Sequence, residues 1–242
     1  MCNHNAISNT SEQLEKRFKA EFKNKFAYKP LFHASGFTFP KWPVIKNTEI
    51  DKIDLLNWGL VPDWFSDTSQ LNQFRIGTLN ARSEEMFEKP SYKKSAHSKR
   101  CLVLSDGFYE WMTLNKQKYP HFIHLKDNEP FAMAGIWNEW KNQKTGDLIE
   151  TFSILTCEAN PLLARIHNVG KRMPVILSPE NEQVWLDDLL TQNDILSLST
   201  PYDETLMEAY TISKLITTKG ADTNVEEVRS KFLYSELEMR LF

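Results

Sequence analysis

The second residue of the chain is its best candidate for covalent chemistry. Cys2 follows Met1, and its small side chain allows the initiator methionine to be removed. The new N-terminal residue would carry an α-amine and a thiol, with ordinary pKa values of about 8 and about 8.5, so both are partly nucleophilic near neutral pH. An aldehyde can form a Schiff base with the amine, and the thiol can then close a five-membered thiazolidine ring. A cysteine at position two is more often an ordinary residue, so the rest of the chain must supply the evidence.

Two other residues offer side chains that could move protons. Glu110 lies between Tyr109 and Trp111, where partial desolvation would raise its carboxyl pKa toward the range of a general acid. The alternative is that strand alternation points Glu110 at solvent. His167 ends a predicted helix and precedes a loop, where an imidazole can act as a proton shuttle, although a lone histidine is more often structural.

Candidate groups for binding nucleic acid come from three stretches. Asn80 can hydrogen-bond an amine or a sugar hydroxyl, and the guanidinium of Arg82 suits a phosphate; the alternative is a loop that enters a helix capped by Ser83. Trp64 could stack on a nucleobase, which is worth about 1–3 kcal/mol, or it could pack in the core. Arg172 could bind a second phosphate or form a surface salt bridge.

Composition and charge limit the class of protein. A hydrophobic fraction of 41%, with 15 Phe and 7 Trp, is typical of a folded globular chain. The net charge of -3 implies that any nucleic acid would be bound in a local cleft and not by overall attraction. No stretch approaches the roughly 20 apolar residues of a membrane span, and no signal peptide is evident.

The cysteines and histidines predict neither a disulfide framework nor a metal site. Cys2, Cys101 and Cys157 include no close pair, which is typical of a reducing cytoplasm. No CxxC pair occurs, and the histidines besides His167 lack the spacing of zinc ligands. We therefore expect no metal and no cofactor.

Local patterns predict the elements that would position these residues. A capping box at Thr10 and Gln13 begins a predicted helix over Thr10–Phe26, and the stretch from Tyr28 to Pro43 is predicted to be rich in loops. Further helices are predicted over Asn160–Ile166 and Asn181–Leu190. β-branched and aromatic runs separated by turn formers predict strands. These are Trp42–Ile45, Leu55–Leu60, Cys101–Leu104, Phe108–Met112, His121–Leu125, Phe131–Trp137, Thr151–Thr156 and Met173–Leu177.

These elements predict an α+β fold. No linker, low-complexity run or internal repeat divides the chain. We expect a single domain over residues 1–242, built on a strongly bent, mostly antiparallel sheet or barrel with flanking helices.

The candidate residues lie in motifs that, in their order, resemble the SOS-response-associated peptidase (SRAP) family, whose members crosslink covalently to abasic sites in DNA. The similarity runs from Cys2 to about Ser213, which leaves 214–242 as a tail or packing extension. The motifs are Cys2, Trp58-Gly59-Leu60-Val61-Pro62, Asn80-Ala81-Arg82-Ser83-Glu84, Asp106-Gly107-Phe108-Tyr109-Glu110-Trp111, Phe131-Ala132-Met133-Ala134-Gly135-Ile136-Trp137, Ile154-Leu155-Thr156, and His167 with Arg172-Met173-Pro174-Val175-Ile176-Leu177.

The resemblance implies a specific reaction. After removal of Met1, Cys2 would attack the ring-opened aldehyde of an abasic deoxyribose in single-stranded DNA and form a thiazolidine. Asn80 would hold Cys2 and the sugar, while Glu110 and His167 would move protons. The imine intermediate would permit a weak lyase activity by β-elimination. The peptidase activity would chiefly be self-removal of Met1.

The resemblance also implies the contacts to DNA. Arg82 and Arg172 would bind the flanking phosphates, and Thr156 would line the same pocket. Relatives open Met-Cys-Gly-Arg, so His4 in this chain implies a weaker phosphate contact. Relatives also place the histidine two residues before the arginine; here 168–171 intervene, and Lys171 is expected to take the contact of Arg172.

Two other functions remain open from the residues alone. An amidohydrolase with an N-terminal nucleophile would also use a terminal cysteine, with its α-amine as the base. A non-catalytic single-strand binder would leave Cys2 incidental. For the family function we expect a monomer in the cytoplasm, associated with the nucleoid during DNA damage.

Overall fold

A computed structural model describes residues 2–238 of the chain. The predicted removal of Met1 concerns a residue outside this range. The strands within it are β1 (His4–Ile7), β2 (Glu21–Phe22), β3 (Leu31–Ser35), β4 (Lys41–Lys46), β5 (Lys52–Trp58), β6 (Asn80–Arg82), β7 (Arg100–Ser105), β8 (Gly107–Leu114), β9 (Gln117–Leu125), β10 (Phe131–Lys141), β11 (Leu148–Glu158), β12 (Arg172–Pro174), β13 (Ile176–Leu177) and β14 (Met207–Thr211). The α-helices are α1 (Ser11–Phe18), α2 (Leu71–Ile76), α3 (Lys93–Ser98), α4 (Pro161–Ile166), α5 (Pro179–Trp185), α6 (Gln192–Leu198) and α7 (Ser235–Glu238).

Five strands close into a small barrel. β11, β10, β7, β4 and β5 pair in that order as antiparallel neighbours, and β5 then pairs with β11 in parallel. The closing register is Asn57 with Thr151 and Trp58 with Phe152. Closure removes free strand edges and encloses apolar side chains such as Trp42. The predicted α+β fold on a bent sheet or barrel is confirmed.

A second sheet brings the N-terminal residues next to the strand that contains Glu110. Its strand order is β14, β9, β8, β1, β3, so β1 lies between β8 and β3. Asn5 pairs with Phe108 on one side, and His4 pairs with Ser35 on the other. Buried side chains of both sheets belong to one hydrophobic cluster, which fixes the sheet against the barrel. Its members include Ile7, Phe108, Ile123, Val44, Trp58 and Ile154.

Two short strands extend the barrel at one end of β11. β6 pairs with β11 in parallel, with Asn80 beside Ile154 and Arg82 beside Thr156. β12 pairs antiparallel with the same end of β11, with Arg172 beside Glu158. Residues far apart in sequence therefore converge where β11 ends.

The predicted helix over Thr10–Phe26 is wrong beyond Phe18. α1 begins with the predicted capping box, in which the side chains of Thr10 and Gln13 bond each other's backbone N–H groups. It ends because Lys19 adopts a left-handed conformation, with φ 53°. The residues that follow form β2 instead.

Other boundaries also differ from the sequence patterns. The predicted loop-rich stretch Tyr28–Pro43 contains β3 and the start of β4. The predicted strand Met173–Leu177 is divided into β12 and β13, and the predicted helix Asn181–Leu190 ends at Trp185. Short strands of this kind have little pattern of their own and depend on a neighbouring strand for their hydrogen bonds.

Candidate functional site

Cys2 is completely buried two residues before β1, the strand that enters the second sheet. Its Sγ lies 3.9 Å from the backbone oxygen of His4, toward which the thiol donates a weak hydrogen bond. The register of β1 on β8 pairs Asn5 with Phe108, so continuing the same register places Asn3 opposite Glu110. The strand pairing therefore brings the candidate nucleophile beside the candidate acid.

Glu110 is buried, with 3% of its surface exposed. Burial raises its carboxyl pKa, and the nearby His167 acts in the opposite direction. The expectation of a desolvated carboxyl group is confirmed, and the alternative of a solvent-facing side chain is wrong. Such a group can hold a proton at a pH where an ordinary glutamate is ionised.

Glu110 and the protein interior also change the chemistry of Cys2. Burial raises the pKa of the Cys2 thiol, and the negative charge of Glu110 raises it further. In this environment the thiol stays protonated at neutral pH and needs a base before it can attack. Cys2 and Glu110 are therefore close enough for the charge of one to affect the other.

Asn80 contacts the residue next to the candidate nucleophile. Its side-chain Nδ2 donates a hydrogen bond of 2.7 Å to Oδ1 of Asn3. The hydroxyl of Tyr92 donates to the backbone oxygen of Asn80 over 3.1 Å, which anchors β6. The alternative of a loop entering a helix capped by Ser83 is wrong, because this stretch is a strand. Among the described residues, Asn80 Oδ1 is buried without a hydrogen-bond partner.

His167 caps the C-terminus of α4, which packs against β8. Its Nδ1 accepts a hydrogen bond of 3.2 Å from the backbone N–H of Arg172, and the same nitrogen lies 2.9 Å from the Arg172 oxygen. Proton exchange with a substrate would therefore use Nε2. The side chain of Asn160 accepts from the N–H of Leu163 at 2.8 Å and caps the start of this helix.

The inserted loop contains two residues whose contacts near the site the sequence interpretation missed. The Asn168 amide bonds both backbone groups of Thr113 on β8, accepting from its N–H at 3.0 Å and donating to its oxygen at 2.8 Å. Gly170 lies directly on the imidazole of His167, where an added Cβ would come within 2.7 Å of Cε1. An asparagine two residues before a glycine is a turn signal in the sequence, but it does not show that the two residues contact Thr113 and His167.

Glu110 and His167 line one open cavity of about 480 Å³. Its other lining residues are Asn3, His4, Phe37, Trp111, Thr113, Lys118, Val169 and Thr217. A larger cavity of about 700 Å³, lined mainly by apolar side chains, shares Thr113 with it. Glu110 and His167 line only the smaller of the two, which is therefore the candidate site, whereas Cys2 and Asn80 line neither cavity.

The two predicted phosphate-binding arginines differ in how they are held. Arg82 is half exposed and forms an ion pair of 3.0 Å with Glu85. Arg172 is only 11% exposed; it forms a two-pronged ion pair with Glu84 and donates over 2.6 Å to the backbone oxygen of Thr156. Arg172 is therefore neutralised and oriented by its neighbours.

The remaining predicted contact residues differ in exposure, and one of them is buried. Thr156 is fully buried, and its hydroxyl lies 3.3 Å from the Arg172 guanidinium, so it does not line the cavity. Lys171 is exposed in the inserted loop, with φ 47°. Trp64 is 57% exposed, packs its ring edge-on against Phe74 and donates to the Pro90 oxygen over 3.3 Å. Trp64 therefore combines packing with an exposed surface.

His4 is held by aromatic neighbours as well as lining the cavity. Its ring is nearly parallel to that of His33, with 5.2 Å between centroids, and meets Trp111 edge-on at 4.8 Å. Burial and the neighbouring His33 lower its pKa to about 3. His4 is therefore neutral at physiological pH, unlike the arginine expected at this position.

Among residues 2–238 no group of three potential metal-ligating side chains is present. Within the same residues, no helix is long and apolar enough to cross a membrane.

This arrangement can be compared with known proteins. The sequence profile of the SOS response associated peptidase (SRAP) family matches residues 1–219. The chain belongs to the SRAP family. The matched range includes all four candidate catalytic residues.

Sequence relatives of this SRAP chain include proteins of a bacterium and of a yeast. Abasic site processing protein YoqW of Bacillus subtilis is 42% identical over 177 residues, which is 72% of this chain and 75% of that protein. The abasic site processing protein YMR114C of Saccharomyces cerevisiae is 31% identical over 215 residues, or 86% of this chain and 55% of that protein. The names of these relatives describe a shared substrate.

A solved structure has the same SRAP fold. The crystal structure of a protein from Bacteroides thetaiotaomicron superposes with a TM-score of 0.90 at 34% identity, covering 96% of this chain and 100% of that one. The barrel and the second sheet are therefore a shared architecture.

Proposed function

We propose that this protein forms a covalent thiazolidine link between Cys2 and abasic sites in single-stranded DNA, as part of the response to DNA damage. The observation that carries the proposal is the burial of Cys2 beside a desolvated Glu110 whose cavity also contains His167. The names of the SRAP relatives support the abasic site as the substrate.

The reaction would begin with hydrolysis of the peptide bond between Met1 and Cys2. The freed amine attacks the aldehyde carbon of the ring-opened sugar and gives a carbinolamine. The carbinolamine loses water to form an iminium ion, with the proton for the leaving hydroxyl supplied by Glu110, whose raised pKa suits this role. The Cys2 thiol then adds to the iminium carbon, and its proton returns to the Glu110 carboxylate. The sum is an aldehyde and an aminothiol giving a thiazolidine and water.

His167 and Asn80 would act on the sugar and on the N-terminal residues. Ring opening of the abasic sugar requires removal of a hydroxyl proton, which His167 Nε2 can accept while the Arg172 backbone orients Nδ1. Asn80 holds Asn3 through a 2.7 Å hydrogen bond and thereby fixes the residue after the nucleophile. Its buried Oδ1 offers an acceptor for the Cys2 amine or the sugar hydroxyl.

The DNA would be bound by side chains around the cavity. Arg82 is exposed enough to bind a phosphate directly, and Trp64 offers an exposed ring face for a base. Arg172 would bind a phosphate only by exchanging its ion pair with Glu84. The exposed Lys171 adds a further positive charge, while His4 contributes no charge at neutral pH.

Two further activities belong to the same proposal. Loss of a proton from the carbon next to the imine would eliminate the 3′ phosphate, which is a weak lyase activity. The peptidase activity would be the removal of Met1. We further propose that the protein acts as a monomer in the cytoplasm and associates with the nucleoid when DNA is damaged.

A denaturing gel tests the proposal. Purified protein is incubated with labelled single-stranded DNA that contains one abasic site, and a band that resists denaturation is expected. The adduct should disappear in Cys2→Ala and persist in the matched control Cys157→Ala, which also removes a buried thiol. Intact mass measurement should show a mature protein without Met1.

The outcomes separate this proposal from two others. Amide hydrolysis that requires Cys2, without a DNA adduct, would favour an amidohydrolase with an N-terminal nucleophile. Binding on a native gel without a covalent adduct would favour a non-catalytic single-strand binder. An adduct that persists in Cys2→Ala would refute the assignment of the nucleophile.

A further inference from the structure

A chain of hydrogen bonds leads from the cavity toward the surface through two histidines. His4 Nδ1 lies 2.9 Å from His33 Nε2, and His33 Nδ1 lies 2.7 Å from the hydroxyl of Thr223. His4 lines the cavity together with Glu110, whereas Thr223 is partly exposed in the segment after β14. The three side chains therefore connect the candidate site with solvent.

The packing around the two rings fixes this geometry. The rings of His4 and His33 are tilted by only 7° to each other, and Tyr109 meets His33 edge-on with 5.3 Å between centroids. The Tyr109 hydroxyl donates to the backbone oxygen of Phe32 over 2.5 Å and is thus not a competing partner for His33. Because the rings are held on several sides, the contact between the two imidazoles and the contact between His33 and the Thr223 hydroxyl need no charged partner.

Both rings are neutral under ordinary conditions. Burial lowers the pKa of His33 to about 4, and burial together with His33 lowers the pKa of His4 to about 3. A neutral imidazole has one donor nitrogen and one acceptor nitrogen. The hydrogen bonds can therefore run in two directions. In one, His4 donates to His33 and His33 donates to Thr223; in the other, Thr223 donates to His33 and His33 donates to His4. Because Nδ1 of His4 contacts His33, Nε2 is the nitrogen through which His4 would exchange a proton with a group in the cavity.

We propose that His4, His33 and Thr223 form a proton relay between the candidate site and solvent. The inference rests on the proposed crosslinking function and adds a route for the proton that the Cys2 ammonium must lose before it attacks the aldehyde. His4 Nε2 accepts that proton, and His4 Nδ1 gives its own to His33 Nε2. His33 Nδ1 then gives its proton to Thr223, whose hydroxyl proton passes to water. One proton leaves the site, and no electrons are transferred.

The relay depends on a residue in which this chain departs from its family. The family resemblance implies an arginine at the fourth position, and a guanidinium stays protonated in proteins. It can bind a phosphate, but it cannot accept and release a proton. With histidine in place of arginine, the fourth position loses a charged contact to phosphate and gains a side chain that can transfer protons.

The rate of crosslinking tests the relay. Crosslinking of single-stranded DNA containing one abasic site is followed over time for the wild type, His33→Gln and Thr223→Val. His33→Gln keeps a hydrogen-bonding side chain but lacks the paired ring nitrogens, and it should slow the crosslinking rate at least about tenfold. Imidazole added to the buffer should restore much of that loss, whereas it should leave the wild-type rate nearly unchanged.

Matched controls separate proton transfer from loss of structure. His124→Gln replaces another buried histidine that bonds only a backbone oxygen, and Thr218→Val removes an exposed hydroxyl in the segment before Thr223. Both should crosslink at the wild-type rate. Thr223→Val should be slowed and should respond to imidazole.

Each outcome bears on one of the two proposals. A wild type that forms no adduct would refute the crosslinking function, and the relay with it. A normal wild type together with an unimpaired His33→Gln would refute the relay alone. A slow His33→Gln that imidazole does not restore would assign His33 a structural role and also overturn the relay.

Discussion

Gly170 lies against the imidazole of His167, and replacing it with alanine tests how closely that ring must be held. A Cβ at position 170 would lie 2.7 Å from Cε1 and 2.8 Å from Nε2 of His167. Ordinary van der Waals contact begins at 3.4 Å, so the ring and the loop must separate by roughly 0.7 Å. The ring is rigid and its Nδ1 is hydrogen-bonded to the Arg172 backbone, so the displacement moves Nε2 within the cavity.

The expected effect on the reaction is much larger than the effect on folding. A displacement approaching 1 Å of a catalytic group can slow a reaction about 100-fold. We therefore expect Gly170→Ala to slow crosslinking of an abasic strand by about 10- to 100-fold. Overpacking of this kind costs typically about 1–3 kcal/mol of stability, so the protein should remain folded.

The assay is the initial rate of adduct formation on a denaturing gel, together with thermal unfolding. Gly146→Ala is the matched control, because this glycine adopts φ +80° in the turn between β10 and β11 and a Cβ there would meet nothing within 4 Å. It should lose some stability but keep the wild-type crosslinking rate. A wild-type rate in a folded Gly170→Ala would refute the placement of His167 in the reaction.

Three further changes test the surroundings of the site. Asn168→Ala removes both hydrogen bonds to the Thr113 backbone, so it should lower the free energy of unfolding by about 1–3 kcal/mol and slow crosslinking. Asn168→Asp keeps the acceptor and should have an intermediate crosslinking rate. Equal rates in the wild type and both variants would refute the positioning role. Glu84→Gln removes the carboxylate that neutralises Arg172, so single-stranded DNA should bind several-fold more tightly in a fluorescence anisotropy titration. The slope of log affinity against log salt concentration should become steeper by about 0.7. An unchanged slope would argue that Arg172 does not contact phosphate. Because the pKa of His33 is lowered in the folded protein, the unfolded chain takes up a proton at this residue at a higher pH than the folded one. The contribution of His33 to the free energy of unfolding is therefore complete above about pH 6.5 and is lost toward pH 4, by roughly 3 kcal/mol. Denaturant unfolding of His33→Gln should show a correspondingly smaller acid loss, and an identical pH dependence would contradict the buried neutral state.

The family could be predicted from the sequence, together with candidate residues for its chemistry. Cys2 at the second position, the carboxyl group of Glu110 between aromatic residues and His167 after a helix are local features, and all three lie within the range that the SRAP profile matches. The strands of the barrel were predicted because β-branched and aromatic runs separated by turn formers are a local pattern. Their boundaries shifted where a neighbouring strand supplies hydrogen bonds that no local pattern records.

Only the tertiary structure decided which of the candidate residues are neighbours and which charges are already paired. His4 bonds a histidine 29 residues away, the Asn168 amide bonds a backbone 55 residues away, and Arg172 pairs with Glu84 over 88 residues. These contacts depend on the register of β1 on β8 and on the convergence of β6 and β12 at the end of β11. A slip of one residue in a strand pair turns every side chain to the other face, so residue type and spacing alone cannot assign such partners.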